Sequence, residues 1–245
     1  MKFEKTEVWG FEHSFRGLRN PKNSWDRSDS GKLYWDGTWY HEDLKNYFTE
    51  YGVNFYIGEN DMKLAQALIK AGSEHRKFMR QIFVSVDITA PLYWWKEFDT
   101  YKVGTVANST STMHKITSQP ITLDCFEIDD LNDGAMPTGN YECLQFIYNQ
   151  IINSCENLRQ KYIKTKDKRY WKELIRWLPE SWLQKRTVTM TYENLLAMCS
   201  KGQRRFHKLN EWSGQDNPNV SNFISWARIL PYAQELIFID ELETK

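Results

Sequence analysis

Along this chain the apolar positions change period several times, and each change marks an element. Residues 41–53 read as a short helix stopped by Gly52. The run from Asn60 to Gly72 predicts a clearer helix. Asn60 can cap its start, Met62, Ala65, Leu68 and Ile69 share one face, and Gly72 stands at its end. The period then drops to two. Ile82, Val84, Val86 and Ile88 alternate with Phe83, Ser85, Asp87 and Thr89, the signature of a half-buried strand. Pro91 ends that strand and suits the first turn of a helix over 91–101.

Residues 103–115, rich in Ser, Thr, Asn and Gly, predict a loop, because short polar side chains compete with regular backbone pairing. A long helix is expected over 140–164, with Leu144, Ile147, Ile151, Leu158 and Tyr162 as its apolar face. A further helix follows over 167–178, closed by Pro179, and Arg186–Met190 read as a strand. Thr191 caps a helix over 191–200 that has Asn194 in its first turn, and a last helix spans 220–238, interrupted near Pro231. No repeat and no Pro/Ser/Gly linker divides the chain. The expectation is one α+β domain over residues 1–245, an antiparallel sheet packed with long helices.

Composition narrows the function classes. Lys plus Arg and Asp plus Glu are 32 each among 245 residues, so no net field attracts nucleic acid, and a nucleic-acid partner is not expected. The many aromatics serve a packed core or line a pocket for a flat ligand. Cys125, Cys143, Cys155 and Cys199 form no C-x-x-C pair, and His13, His41, His75, His114 and His207 show no metal-ligand spacing. Neither a metal site nor a disulfide framework is expected. The first residues lack the apolar run of a signal peptide, and no stretch reaches membrane-spanning length. The expectation is a soluble cytoplasmic protein with free thiols.

Nucleotide-loop and protease motifs are absent. Three segments carry candidate chemistry. His75, Arg76, Lys77 and Arg80 precede the alternating strand, and Tyr101 and Lys102 precede the hydroxyl run Ser109, Thr110, Ser111, Thr112. Arg186 with Arg204 and Arg205 supplies guanidinium forks suited to phosphate. Each segment reads as a solvated polar surface or as part of an anion site, and spacing alone does not choose.

The order of segments does say more. Helix 60–72, the alternating strand, the Ala90-Pro91 step and the next helix resemble the central block of flavin-dependent thymidylate synthases. That family's arginine-histidine-arginine triplet falls on Thr100-Tyr101-Lys102, and seven residues then separate Lys102 from Thr110, eight from Ser111. Leu178-Pro179, the strand bearing Arg186, the helix after it and the stretch from Arg204 to Trp212 are similar to the family's later part. The resemblance covers about residues 59–116 and 177–235.

It implies the family's fold and activity: FAD, reduced by NADPH, moves a one-carbon unit from methylenetetrahydrofolate onto the pyrimidine nucleotide dUMP, in a homotetramer. Arg186, Thr110, Ser111 and Glu97 then correspond to substrate-binding positions, and Arg204 or Arg205 to the arginine that polarises the pyrimidine. Tyr101, Lys102, Asn108, His75, Arg76 and His207 correspond to cofactor-binding positions. In the triplet only Lys102 keeps a positive charge, the family's loop acid is Asn108, and its following arginine is Thr112. Arg76 or Arg80 could replace the lost charge. Two functions follow: FAD-dependent one-carbon transfer, or a non-catalytic nucleotide- or partner-binding protein on the same fold.

Overall fold

The computed structural model describes residues 1–33, 50–128, 141–202 and 205–244. Of the predicted helix 41–53, all but the end lies outside the described residues, and Arg204 lies outside them too. The mixed α+β architecture is as expected. A four-stranded sheet runs in the order β1 (Lys2–Trp9), β4 (Phe83–Pro91), β6 (Leu183–Thr191), β5 (Val106–Ser109). A separate antiparallel ribbon joins β2 (Gly31–Lys32) to β3 (Phe55–Tyr56), with Gly31 opposite Tyr56. The chain divides into two compact units. The first comprises Met1–Ile88, Thr100–Ala107 and Thr187–Lys245, the second Thr89–Asp99 and Asn108–Arg186.

In the first unit, β1 turns into helix α1 (Phe11–Arg19) through Gly10, whose φ is +97°. A Cβ there would lie 2.0 Å from the carbonyl oxygen of Gln81, so only glycine fits. Phe11 and Phe15 are buried, and Phe11 meets Tyr192 and Tyr232 edge-on. The alternation of β4 is realised, with Val84, Val86 and Ile88 buried. On its other face Ser85 bonds Thr189 and Asp87 accepts from Thr187, so one index falls as the other rises, as antiparallel pairing requires.

Helix α2 spans Glu59–Lys70 and starts earlier than predicted, from Gly58 rather than Asn60. The first-turn amides of Asn60 and Asp61 donate to the carboxylate of Asp29 instead, a cap brought from another part of the chain. The predicted cap at Thr191 is present: its hydroxyl accepts the amide of Asn194, and the Asn194 side chain accepts the amide of Thr191. The single helix expected over 220–238 is instead two short ones, Phe223–Arg228 and Ala233–Leu236. Pro231 cannot donate in a helix, Tyr232 sits at φ +55°, and the Pro231 carbonyl accepts the Tyr192 hydroxyl at 2.6 Å.

In the second unit, helix α3 (Leu92–Phe98) buries Trp94, Trp95 and Phe98. A second core gathers Ile116, Ile121, Phe126, Ile152, Cys155, Leu174 and Trp182 between helices α5 (Tyr141–Thr165) and α6 (Lys168–Trp177) and the segments before them. Two expectations need correction. The polar run 103–115 is not all loop: it holds β5 and a one-turn helix, α4 (Thr112–Lys115). There the Thr110 amide pairs with the Lys185 carbonyl at 2.8 Å and the Ser111 hydroxyl caps the turn, so the same side chains that suggested a loop stabilise regular structure.

The buried side of α5 is also rotated from the predicted stripe. Ile152, Cys155 and Arg159 point inward, Ile151 and Leu158 are half-buried, and Ile147 is 52% exposed. An arginine on the inward face hid the pattern. Arg159 is accommodated because Glu156 binds it with both carboxylate oxygens.

Candidate functional site

Residues 184 and 186 stand two apart on β6, so their side chains leave the same face. In the second unit that face meets helix α3 and the hydroxyl run. The Trp95 indole donates to the Gln184 carbonyl at 2.9 Å, and the Arg186 guanidinium lies over the Trp95 ring, 4.2 Å from its centroid. The Gln184 side chain is buried and used at both ends. Its nitrogen donates to the Thr110 carbonyl and the Thr112 hydroxyl at 3.1 and 3.2 Å, and its oxygen accepts Nε of Arg186 at 2.9 Å. Nη1 of Arg186 donates to Asp99 at 2.8 Å. Nη2 has no hydrogen-bond partner among the described residues.

This arrangement can hold an anion. The guanidinium is clamped on a flat apolar surface by Gln184, which leaves its outer edge for a ligand and reduces the rotamer freedom lost on binding. The Ser111 hydroxyl accepts the His114 amide at 3.2 Å, and that of Thr112 accepts from Gln184. Each keeps its own proton for an incoming oxygen. Thr110 is different, since its hydroxyl donates to the Lys185 carbonyl at 3.1 Å.

The predicted positions thus separate. The structure brings Arg186 and Thr110 together, with Ser111 adjoining, and places Glu97 half-buried on the helix that carries Trp95. Asn108 is exposed on β5. Asp99, Gln184 and Trp95 were not singled out from sequence, whereas Thr112 belongs to the hydroxyl run that was. Two spacings point to them: Gln184 is two residues before Arg186 on a strand, and Asp99 is four after Trp95 at a helix end.

In the first unit, Tyr101 and His207 flank Trp212, at 6.0 and 5.6 Å between ring centroids, and His207 accepts the Leu209 amide through Nδ1. Lys102 is exposed. His75 lines a cavity of about 570 Å³ with Leu64, Leu68 and Phe78. Arg76 and Arg80 both bind the Glu193 carboxylate. Burial pushes the Glu193 carboxyl up, but the two guanidinium groups outweigh it and hold the group below its ordinary value.

Arg205, the other candidate for pyrimidine polarisation, is buried at 4% exposure. Its Nε donates to the Cys199 carbonyl at 2.8 Å, Nη1 pairs with Glu241 at 3.0 Å and Nη2 with Asp240. That geometry ties the C-terminal turn to the end of the helix Tyr192–Cys199 (α7), a structural role.

A flavin adenine dinucleotide carries a pyrophosphate, which needs cations free to meet it. At the triplet positions only Lys102 is cationic, and Arg76 and Arg80, the candidates to replace the lost charge, are both held on the single carboxylate of Glu193, which offsets one of their two charges. Thr100, Tyr101 and Lys102 offer no guanidinium fork to that pyrophosphate, so these positions among the described residues do not fit it.

No protein-family model and no curated relative matches the sequence. Solved structures do match in fold. A flavin-dependent thymidylate synthase ThyX from Helicobacter pylori, complexed with FAD and dUMP, aligns at TM-score 0.59 and 13% identity, over 98% of this chain and 99% of its own. A second structure of that protein with FAD and dUMP aligns at TM-score 0.59 and 13% identity, over 99% and 100%. A UMP/dUMP methylase PolB from Streptomyces cacaoi, bound with 5-Br UMP, aligns at TM-score 0.49 and 13% identity, over 87% and 95%. The chain has the flavin-dependent thymidylate synthase-like fold. No described helix is long and apolar enough to cross a membrane.

Proposed function

We propose that this chain binds a pyrimidine nucleoside monophosphate such as dUMP through the Arg186 cluster of the second unit, without holding a flavin. The observation that carries the reading is the seating of Arg186, stacked on Trp95, fixed by Gln184 and beside the hydroxyls of Ser111 and Thr112. Such a group meets phosphate oxygens with little reorganisation. The fold adds support, since the Helicobacter pylori chain was captured with dUMP.

Calorimetric titration with dUMP tests it. Arg186→Ala should weaken binding about tenfold or more, the loss of one charge-assisted hydrogen bond. An unchanged dissociation constant in that variant removes Arg186 from the site. The visible spectrum after incubation with FAD and desalting tests the other half of the reading, and should be flat.

A second reading is FAD-dependent one-carbon transfer to dUMP, with NADPH and methylenetetrahydrofolate as co-substrates. It is favoured by one observation: this chain matches a FAD-and-dUMP-bound chain along nearly its whole length. A flavin spectrum that survives desalting, with dUMP-dependent NADPH oxidation, selects this reading over the first. A cytoplasmic homotetramer, each chain folding as a single domain, completes either reading. Light scattering checks the assembly and a single cooperative melting transition checks the domain.

A further inference from the structure

The Arg186–Asp99 pair is asymmetric. Arg186 is 15% exposed and is also held by Trp95 and Gln184, whereas Asp99 is 43% exposed. Asp99 uses a single carboxylate oxygen, Oδ1, at 2.8 Å from Nη1. The cation is therefore fixed to the protein, and the anion is the partner that can leave. A one-point contact at a half-exposed position is also weaker than a two-point fork.

An incoming phosphate requires the same guanidinium donors that Asp99 occupies. The two anions cannot share Nη1, and side by side they repel. Building on the nucleotide reading above, we infer that Asp99 is a displaceable internal counter-ion of Arg186 that weakens nucleotide binding and sets how strongly the site discriminates a nucleoside phosphate from an unphosphorylated nucleoside. Without ligand, Asp99 keeps the guanidinium aligned over Trp95 and spares the protein an unneutralised, largely buried charge. With ligand, the phosphate replaces it, and the carboxylate turns to water. A neutral nucleoside has no group able to make that exchange.

The experiment is calorimetric titration of the full chain with dUMP and with 2′-deoxyuridine, for wild type and Asp99→Asn, with Asp99→Ser as a second variant should the first fold poorly. Removing the competing carboxylate should tighten dUMP binding about tenfold, the scale of one charge-assisted bond, and leave 2′-deoxyuridine unchanged. Binding that appears only in the variant supports the inference equally. If wild type binds dUMP and both variants bind it no more tightly, the inference is overturned while the nucleotide reading stands. If neither wild type nor variant binds dUMP, both are overturned.

Discussion

Glu156 is the residue whose removal has the most legible consequence. Its carboxylate accepts Nε and Nη2 of Arg159, each at 2.7 Å, the Gln160 amide nitrogen at 2.7 Å and the Ile121 backbone amide at 2.8 Å. Arg159, 6% exposed, spends its remaining terminal nitrogen on the Thr117 carbonyl. One carboxylate thus pins residues 117–121 to helix α5 and neutralises an arginine inside the second unit. The Arg159 guanidinium pulls the Glu156 carboxyl from an ordinary 4.5 down to about 2, against burial that raises it and with help from the Ile121 amide and Gln160.

A shift of that size corresponds to about 3 kcal/mol, since each pKa unit is worth about 1.4 kcal/mol. Glu156 keeps 25% of its side-chain surface in water, and screening reduces the figure to roughly 2 kcal/mol. The folded-state value lies below the unfolded one. The stabilisation is therefore fully present above the ordinary glutamate value and is lost as pH falls through the folded value, between about pH 5 and pH 2.

Glu156→Gln keeps the shape but removes the charge, so at pH 7 it should cost roughly 2 kcal/mol, or about 4–8 °C in Tm for a chain of this length. Urea unfolding followed by far-ultraviolet circular dichroism at pH 7, 4 and 3 reads both terms. The gap between variant and wild type should shrink steadily as the wild-type carboxylate protonates. A gap that is the same at pH 3 as at pH 7, or below about 0.5 kcal/mol at pH 7, refutes the reasoning.

Other consequences can be checked with the same equipment. Arg19 and the fully buried Asp61 pair at 2.6 Å, with Ser28 also donating to Asp61, so Asp61→Ala should cost roughly 3–5 kcal/mol by stranding a buried guanidinium. Replacing both residues with leucine should recover much of that loss, which a urea-melt cycle will show. Thr191→Ala removes one half of a capping box and should cost about 1 kcal/mol, while Thr191→Ser should cost less, as read from thermal melts. Burial pushes the Cys155 thiol up to about 11 and the Cys199 thiol higher still, whereas Cys125 is only half-buried. Iodoacetamide at pH 8 should label Cys125 before Cys155 and Cys199, with peptide mass spectrometry showing these two modified only on unfolding.

Some of this was legible in the sequence and some was not, for identifiable reasons. The alternation through β4 carried its own face assignment, because a period of two admits only one partition into buried and exposed sets. The Thr191 cap was readable because its partner, Asn194, is three residues away. Asp29 caps helix α2 from some thirty positions earlier, and no local window contains that pairing. The inward face of α5 is hidden in the sequence because Arg159 is charged, and a charged residue is assigned to solvent unless its partner is known. Arg186 stood out as a cation, but the clamp that defines its site consists of Trp95, Gln184 and Asp99, residues with ordinary readings as core and surface.

The arginines differ in what each can still do. Arg205, Arg76 and Arg80 are cations in the sequence, and resemblance or charge alone would place all three at an anion. Arg205 is enclosed by Cys199, Asp240 and Glu241, and Arg76 and Arg80 share Glu193, so a ligand anion would have to break contacts that hold the fold. Arg186 differs because the contacts that position it, the ring of Trp95 and the oxygen of Gln184, do not neutralise it. Among the described residues only the half-exposed Asp99 does, and an arriving anion takes over its place at the guanidinium. Cations with structural counter-ions are committed to the fold. A cation fixed by neutral groups and balanced by one removable carboxylate is available to a ligand, which is why the binding hypothesis rests on Arg186.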